Sequence, residues 1–288
     1  MAFCEDIRVA CRAVVAGAEW VRIDDEALRA IPAGEPPRLD PASHFLDGPP
    51  EAVATYVLAL DAVNFGSGWF AELEQRPGGF GYETVAGTLT TWFREAPVTV
   101  AALRRVEHAE VTGRFALEPE HALVEHFTAA LRELGGFLDA RGALDVIAEA
   151  DGSAERLAAG LIAGMPRWRD PLAKRAQLAA SDLALAGVAD FDDLAALTIF
   201  ADNLVPHVLR CDGALVLHPA LERHLDAGLE LEPGPRELQL RAAAVVAGER
   251  LARHVGVTER DLDGMLWQRG QATRYANPPA HRCRTTAY

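Results

Sequence analysis

Asp202 stands in the run Phe200-Ala201-Asp202-Asn203-Leu204-Val205-Pro206-His207, a carboxylate among apolar residues just ahead of a proline. Such a carboxylate either caps a break in the backbone or is a charge held out of water, and charges of the second kind cluster at sites. A second group is Asp61-Ala62-Val63-Asn64-Phe65-Gly66-Ser67-Gly68-Trp69-Phe70. Asp61 and Asn64, three apart, share one helix face, and two glycines between aromatic residues follow. Carboxylate, amide and rings suit a planar heterocycle, held by hydrogen bonds along its edge and by stacking. They equally suit a helix end packed with core aromatics. The third group is Lys174-Arg175-Ala176-Gln177, where Lys174 is the only lysine in the chain. A compact ammonium suits a phosphate or a buried carboxylate. The fourth is Leu266-Trp267-Gln268 with the terminal stretch His281-Arg282-Cys283-Arg284-Thr285-Thr286-Ala287-Tyr288. It either docks to close a site or stays solvated, as tails usually do.

The elements that must position these groups read as helices. Ala, Leu, Arg and Glu dominate, all strong helix formers. Apolar residues recur near the 3.6 period from Ile7 to Ala18, with Cys4 and Cys11 on one face. Residues 32–50 are rich in Pro and Gly and read as a loop. Residues 51–65 are apolar nearly all round and read as a central helix. RPGGFG at 76–81 reads as a turn. Helices follow through the middle of the chain; one of them ends at Gly187, a good helix stop. Residues 191–210 read as a helix capped by Asp192 or Asp193 and interrupted by Pro206. The stretch 235–256 is amphipathic, and Thr258 with Asp261 opens another helix. Strand signals are weak; residues 216–219 and 229–232 suit a short hairpin. No repeat or linker shows, so the expectation is one all-α domain over 1–288, with residues 1–50 as a wrapping segment.

Composition narrows the function. The chain has 28 Lys+Arg against 42 Asp+Glu, a formal net charge of -14. A general nucleic-acid binder needs a basic face, so that class is disfavoured. No apolar run reaches the length of a membrane span, and the start has no basic leader. Four cysteines without a C-x-x-C pair read as reduced thiols, so a cytoplasmic protein is expected. Neither common nucleotide-cradling glycine motif is present. Gly66-Ser67-Gly68 is only a near-match to the nucleophile elbow. His121 and His126 are five apart, not the four of the zinc motif, and read as solvated or core-edge residues.

The blocks LDAVNFGSGWF (60–70), KRAQL (174–178), FDDLAALTIFADNLVPHVLR (191–210), RELQLRA (236–242) and DLDGMLWQRG (261–270) run in order over most of the chain. Taken together they resemble the queuosine salvage protein family, the queuosine 5′-phosphate N-glycosylases. Three points depart from that pattern. The stretch before Lys174 is short, His207 stands where Gln is common, and 237–241 reads E-L-Q-L-R rather than E-x-E-x-R. The resemblance implies an all-helical fold akin to helix-hairpin-helix DNA glycosylases. The run Leu185-Ala186-Gly187-Val188-Ala189 followed by Phe191-Asp192-Asp193-Leu194 suits such a helix–turn–helix. It further implies hydrolysis of queuosine 5′-phosphate to queuine and ribose 5-phosphate by a monomer, with no metal, cofactor, nucleic acid or membrane.

The resemblance places Asp202 beneath the anomeric carbon, where a carboxylate stabilises an oxocarbenium-like centre. It makes Asp61 and Asn64 readers of the base edge and Phe65 and Trp69 a sandwich around the ring. Lys174, with Arg175 or His44 as lesser candidates, takes the 5′-phosphate; His207 and Trp267 complete the substrate-binding set. Two other readings stay open: a non-catalytic helical nucleotide-binding module, and a DNA base-excision glycosylase, which the net charge disfavours.

Overall fold

A computed structural model of the chain describes residues 3–73, 81–139 and 141–288. Gly81 apart, the turn expected at 76–81 lies outside the described residues. Among the described residues the secondary structure is α-helix, short 3-10 turns and two three-residue strands, so the all-α expectation stands. Among the described residues no helix is long and apolar enough to cross a membrane. The chain packs as two compact units, one of residues 1–38, 194–286 and 288, the other of residues 39–193 and 287.

The first unit begins with α1 (Phe3–Ala16), whose buried stripe is Cys4, Ile7 and Cys11. It continues with β1 (Val21–Ile23) and α2 (Asp25–Arg29). The second unit holds α3 (Pro50–Ala62), α4 (Ser67–Phe70), α5 (Tyr82–Glu95), α6 (Val100–Arg105), α7 (His108–Phe115), α8 (Ala122–Leu138), α9 (Ala143–Glu149), α10 (Ala154–Gly164) and α11 (Lys174–Leu185). The first unit then resumes with α12 (Leu204–Cys211), β2 (Leu215–Leu217), α13 (Pro219–Asp226), α14 (Pro235–Val255) and α15 (Glu259–Gly270).

In the second unit α3 is the axis. Every residue from Val53 to Ala62 is buried, which its all-round apolar surface demands. It packs against α5, α8, α9 and α11. Glu51 lends its carboxylate to α9, accepting from Ala143 N at 2.6 Å and Leu144 N at 3.0 Å. α11 ends as expected: Gly187 adopts φ +71°, its N–H reaches Ala184 O, and Val188 N–H reaches Leu183 O, the Schellman closure. In the first unit α14 is the axis, packing against α1, α12 and α15. Thr258 caps α15 through Asp261 N, as its spacing predicts.

Two expectations fail. The strand at 215–217 does not turn back on 229–232; β2 pairs antiparallel with β1, Val21 opposite Leu217 and Ile23 opposite Leu215. Glu230 instead bridges Arg282. Nor is 191–210 one helix. Only a single 3-10 turn at Leu194–Ala196 forms before α12. Asp193 does cap a helix, but α10: its carboxylate accepts from Ala154 N and Ser153 Oγ, both at 2.6 Å. With that cap spent elsewhere and β-branched Thr198 and Ile199 next in line, the backbone runs without regular secondary structure from Leu197 to Asn203. The second helix of the expected helix–turn–helix is therefore absent. Pro206 sits in the first turn of α12, where a proline costs no hydrogen bond, rather than kinking an interior.

Candidate active site

In the second unit, α3 ends by delivering a carboxylate, an amide and a sharp turn in six residues. Asp61 is wholly buried in the last turn. The chain then reverses through Val63 and Asn64 to Gly66, at φ +99°. A Cβ there would lie 2.7 Å from Leu123 Cδ2, so both the backbone angle and the space require glycine. The turn places the Asn64 amide beside α11. Lys174 opens that helix, its N–H accepted by Asp170 Oδ2 at 2.9 Å. Its ammonium, 3% exposed, donates to Asn64 O at 3.2 Å and Asn64 Oδ1 at 3.1 Å. Asn64 Nδ2 in turn donates weakly to Asp61 Oδ1 at 3.4 Å.

Asp61 Oδ2 is buried with no hydrogen-bond partner among the described residues. Burial, then the nearby charge of Asp182, pushes the Asp61 carboxyl well above the usual range; Lys174 and Asn64 pull the other way. Asp182 is itself buried. It lies eight residues beyond Lys174, two turns along the same face of α11. Two tyrosines border these acids. Tyr56 Oη is 2.8 Å from Thr90 Oγ1, and burial lifts its phenol to about 12. Tyr82 Oη is 3.2 Å from His44 Nε2, and burial with the two aspartates raises its phenol strongly. Thr90 also donates to Ser43 O at 2.8 Å, which ties the loop carrying His44 to α5.

Phe65 and Trp69, expected to sandwich the ring of a substrate, are both buried and each meets an aromatic neighbour within the chain. Phe65 meets Phe127 edge-on at 5.4 Å, and Trp69 lies against His126 at 5.2 Å. Arg175 stacks on Phe65 and Trp168 at 5.0 and 5.2 Å. Its guanidinium, 1% exposed, donates to Ala62 O at 2.7 Å and to Arg167 O. Arg175 thus fastens the end of α3 from within the core, which is not a phosphate-facing position. His121 and His126 fill the core-edge roles expected of them, His121 capping α8 through Leu123 N.

In the first unit, Asp202 stands in the irregular run ahead of α12. Its Oδ1 accepts from Leu204 N at 2.7 Å and Val205 N at 3.2 Å. Oδ2 accepts no hydrogen bond among the described residues, and the side chain is half-buried. One carboxylate oxygen is thus fixed on helix-terminal amides while the other is open. The run itself is buried from Leu197 to Ala201, and charged side chains satisfy its backbone. Arg8 donates to Ala196 O at 2.9 Å. Asp263 accepts from Phe200 N at 2.8 Å, and Arg241 Nε donates to Ala201 O at 2.8 Å. Gly248 lets α14 press on the run, since a Cβ there would collide with Ile199.

His207 is buried, with Nε2 2.8 Å from Tyr275 O, and burial lowers its basicity. Trp267 is half-buried on α15. Gln239 accepts from Trp20 N at 2.9 Å and so anchors the start of β1. Sequence reading missed Asp182, Tyr82 and Arg241. Arg241 pairs with Glu237 at 3.2 Å, and that i,i+4 acid–base pair leading into the apolar run Ala242–Ala247 is its available signal.

The queuosine salvage protein family model matches residues 44–288. A relative from Sphaerobacter thermophilus named queuosine 5′-phosphate N-glycosylase/hydrolase is 35% identical over 96% of both chains. The chain belongs to the queuosine salvage protein family. A Dictyostelium discoideum protein of the same name is 34% identical over 40% of this chain and 39% of its own length. The family match begins at His44 and takes in all ten candidate residues, from both compact units. Arg8, which grips the run before Asp202, lies outside the matched range. Among the described residues no three His, Cys, Asp or Glu side chains converge as a metal site.

Proposed function

We propose that the chain hydrolyses the N-glycosidic bond of queuosine 5′-phosphate, releasing queuine and ribose 5-phosphate for queuine salvage. The family membership and the printed names of both relatives support this. The observation that carries it is Asp202, one oxygen held by two α12 amides and the other open. As the bond to the base breaks, positive charge develops at the anomeric carbon. The open Asp202 oxygen stabilises that charge or bonds to it transiently. The amides on Oδ1 keep the carboxylate from rotating, which is preorganisation in place before the charge appears. The leaving 7-deazaguanine carries carbon at position 7 and cannot be protonated there, so donors and acceptors along its pyrimidine edge bear more of the work.

We assign that edge to Asn64, with Asp61 and Lys174 behind it as a buried charge pair. Phe65 and Trp69 contribute through the hydrophobic wall they build with Phe127 and His126 rather than as a sandwich. His44, His207 and Trp267 remain proposed substrate contacts. We take the protein to act as a cytoplasmic monomer on a free nucleotide, since its net charge disfavours nucleic acid. The likeness to helix-hairpin-helix glycosylases then rests on the order helix, Gly187 turn, carboxylate-bearing run, helix.

The test is incubation with queuosine 5′-phosphate in EDTA, with free queuine followed by mass spectrometry. Wild type releases queuine; Asp202→Asn binds the nucleotide but turns over at least about 10³-fold more slowly. Binding without release by wild type would replace the glycosylase with a nucleotide-binding module.

A further inference from the structure

We propose that Arg241 is a positioning residue for Asp202, and that the ring of Tyr288 holds Arg241 in place. The inference rests on the reading that Asp202 carries the reaction. Arg241 is 2% exposed. A guanidinium taken out of water needs acceptors for its N–H groups, and here they are directional. Nε–H goes to the carbonyl of Ala201, the residue directly before Asp202, at 2.8 Å. Nη1 goes to Glu237, one turn back on α14, at 3.2 Å. The guanidinium centre lies 4.3 Å from the centroid of the Tyr288 ring.

Tyr288 is fixed in its turn. It is 2% exposed, and His281 Nε2 lies 3.2 Å from its hydroxyl oxygen. A planar fork tied to α14, covered on one face by a held ring, leaves Ala201 O a narrow range of positions. The Asp202 Cα is one peptide unit, about 3.8 Å, from that of Ala201. Downstream, among the described residues, the Leu204 and Val205 amides anchor Asp202. Asp202 is therefore held between an arginine clamp upstream and a helix end downstream. Lysine cannot substitute, because a point charge lacks the fork and the stacking face.

The experiment compares wild type with Arg241→Ala, Arg241→Lys, Tyr288→Ala and Tyr288→Phe. It reads kcat and KM for queuine release, and amide hydrogen exchange over residues 199–205. A reactive group displaced by about 1 Å loses about 10²-fold in rate. Arg241→Ala, Arg241→Lys and Tyr288→Ala should lose kcat on that scale, with KM little changed and exchange over 199–205 accelerated. Tyr288→Phe keeps the ring that covers Arg241 but loses the hydroxyl that fixes it, and its kcat should fall between wild type and Tyr288→Ala. Added ethylguanidinium should restore part of the Arg241→Ala rate, and ethylammonium none. Unchanged kcat in folded Tyr288→Ala, or full activity in Arg241→Lys, overturns the proposal. If Arg241→Ala does not fold, the Tyr288 pair decides. If wild type releases no queuine the proposed activity falls, and the exchange data still decide whether the clamp exists.

Discussion

Asp61 and Asp202 are both aspartates at a helix boundary, one in each compact unit, and they are built for opposite ends. Asp61 lies in the last turn of α3, where the helix dipole presents its negative end. It is fully buried, has Asp182 for a neighbour and leans on one lysine through an asparagine. Asp202 lies ahead of the first turn of α12, where two amides meet its charge, and it keeps some exposure. The same side chain is thus a strained member of a charge cluster in one unit and a supported, half-open carboxylate in the other. Under the proposed reaction, only the second arrangement leaves a carboxylate oxygen open toward the developing cation.

Substituting both residues breaks the comparison most directly. Asp202→Asn keeps a capping oxygen and so should leave thermal stability nearly unchanged. Its turnover should fall at least about 10³-fold, about 4 kcal/mol of transition-state stabilisation. Asp61→Asn removes a charge that burial disfavours. At pH 8 it should hold or raise the melting temperature, with a change in kcat far smaller than that of Asp202→Asn. Queuine release and melting curves on the two variants decide the matter, and equal losses of kcat would erase the distinction.

The second largest effect concerns the cation that makes the Asp61 cluster tolerable. Lys174→Met removes the cation that most favours the charged form of the buried Asp61 carboxyl, beside the buried Asp182. Breaking a buried pair from one side costs about 3–5 kcal/mol. The sign with pH follows from the raised Asp61 carboxyl. The folded state binds its proton more readily than the unfolded state, so stability rises as pH falls through the folded range. Denaturant midpoints of Lys174→Met should therefore be lowest at pH 8 and recover toward pH 5. Adding Asp61→Asn should restore much of the loss at pH 8. A deficit independent of pH would mean that Lys174 is needed for shape and not for charge.

Much of this was legible in the sequence, and what was not shares one cause. The helices could be read because their apolar periods are local. Lys174 stood out by being alone, and Asp202 by being acidic in an apolar run. What misled was every feature whose partner lies far along the chain. Asp193 looked like the cap of its own helix and caps α10, forty residues earlier. The 215–217 strand looked for a near neighbour and found Val21–Ile23. Asp182 carries no signal until α3 and α11 are known to pack together. Arg175 read as a cation for phosphate, and only its bond to Ala62 O shows that it is committed to the core.

A third, smaller effect probes how firmly the run before Asp202 is held. Gly248→Ala places a methyl group against Ile199. Overpacking of this kind costs about 1–3 kcal/mol, and the irregular run is the softer partner because no helical ladder holds it. The variant should lose kcat as well as stability, whereas Gly66→Ala should lose stability with a smaller loss of kcat. Measuring kcat per folded molecule in both variants separates the two regions. A loss of stability alone in Gly248→Ala would show that Asp202 is insulated from the packing beneath it.

The smallest effect is a titration. Burial in the first unit lowers His281 to about 3. In the unfolded chain the same ring has a pKa near 6.5. The unfolded state therefore gains a proton first as pH falls, and stability is lost progressively below about 6.5, reaching its full cost near 3. Each unit of pH in that window is worth about 1.4 kcal/mol. His207, also lowered by burial, adds a loss of the same sign. The second unit responds oppositely, because the raised Asp61 carboxyl favours the folded state as pH falls. Urea midpoints at pH 7 and pH 5 should drop less in His281→Gln than in wild type, and more in Asp61→Asn. A parallel shift in both variants would mean that neither group titrates as its burial requires.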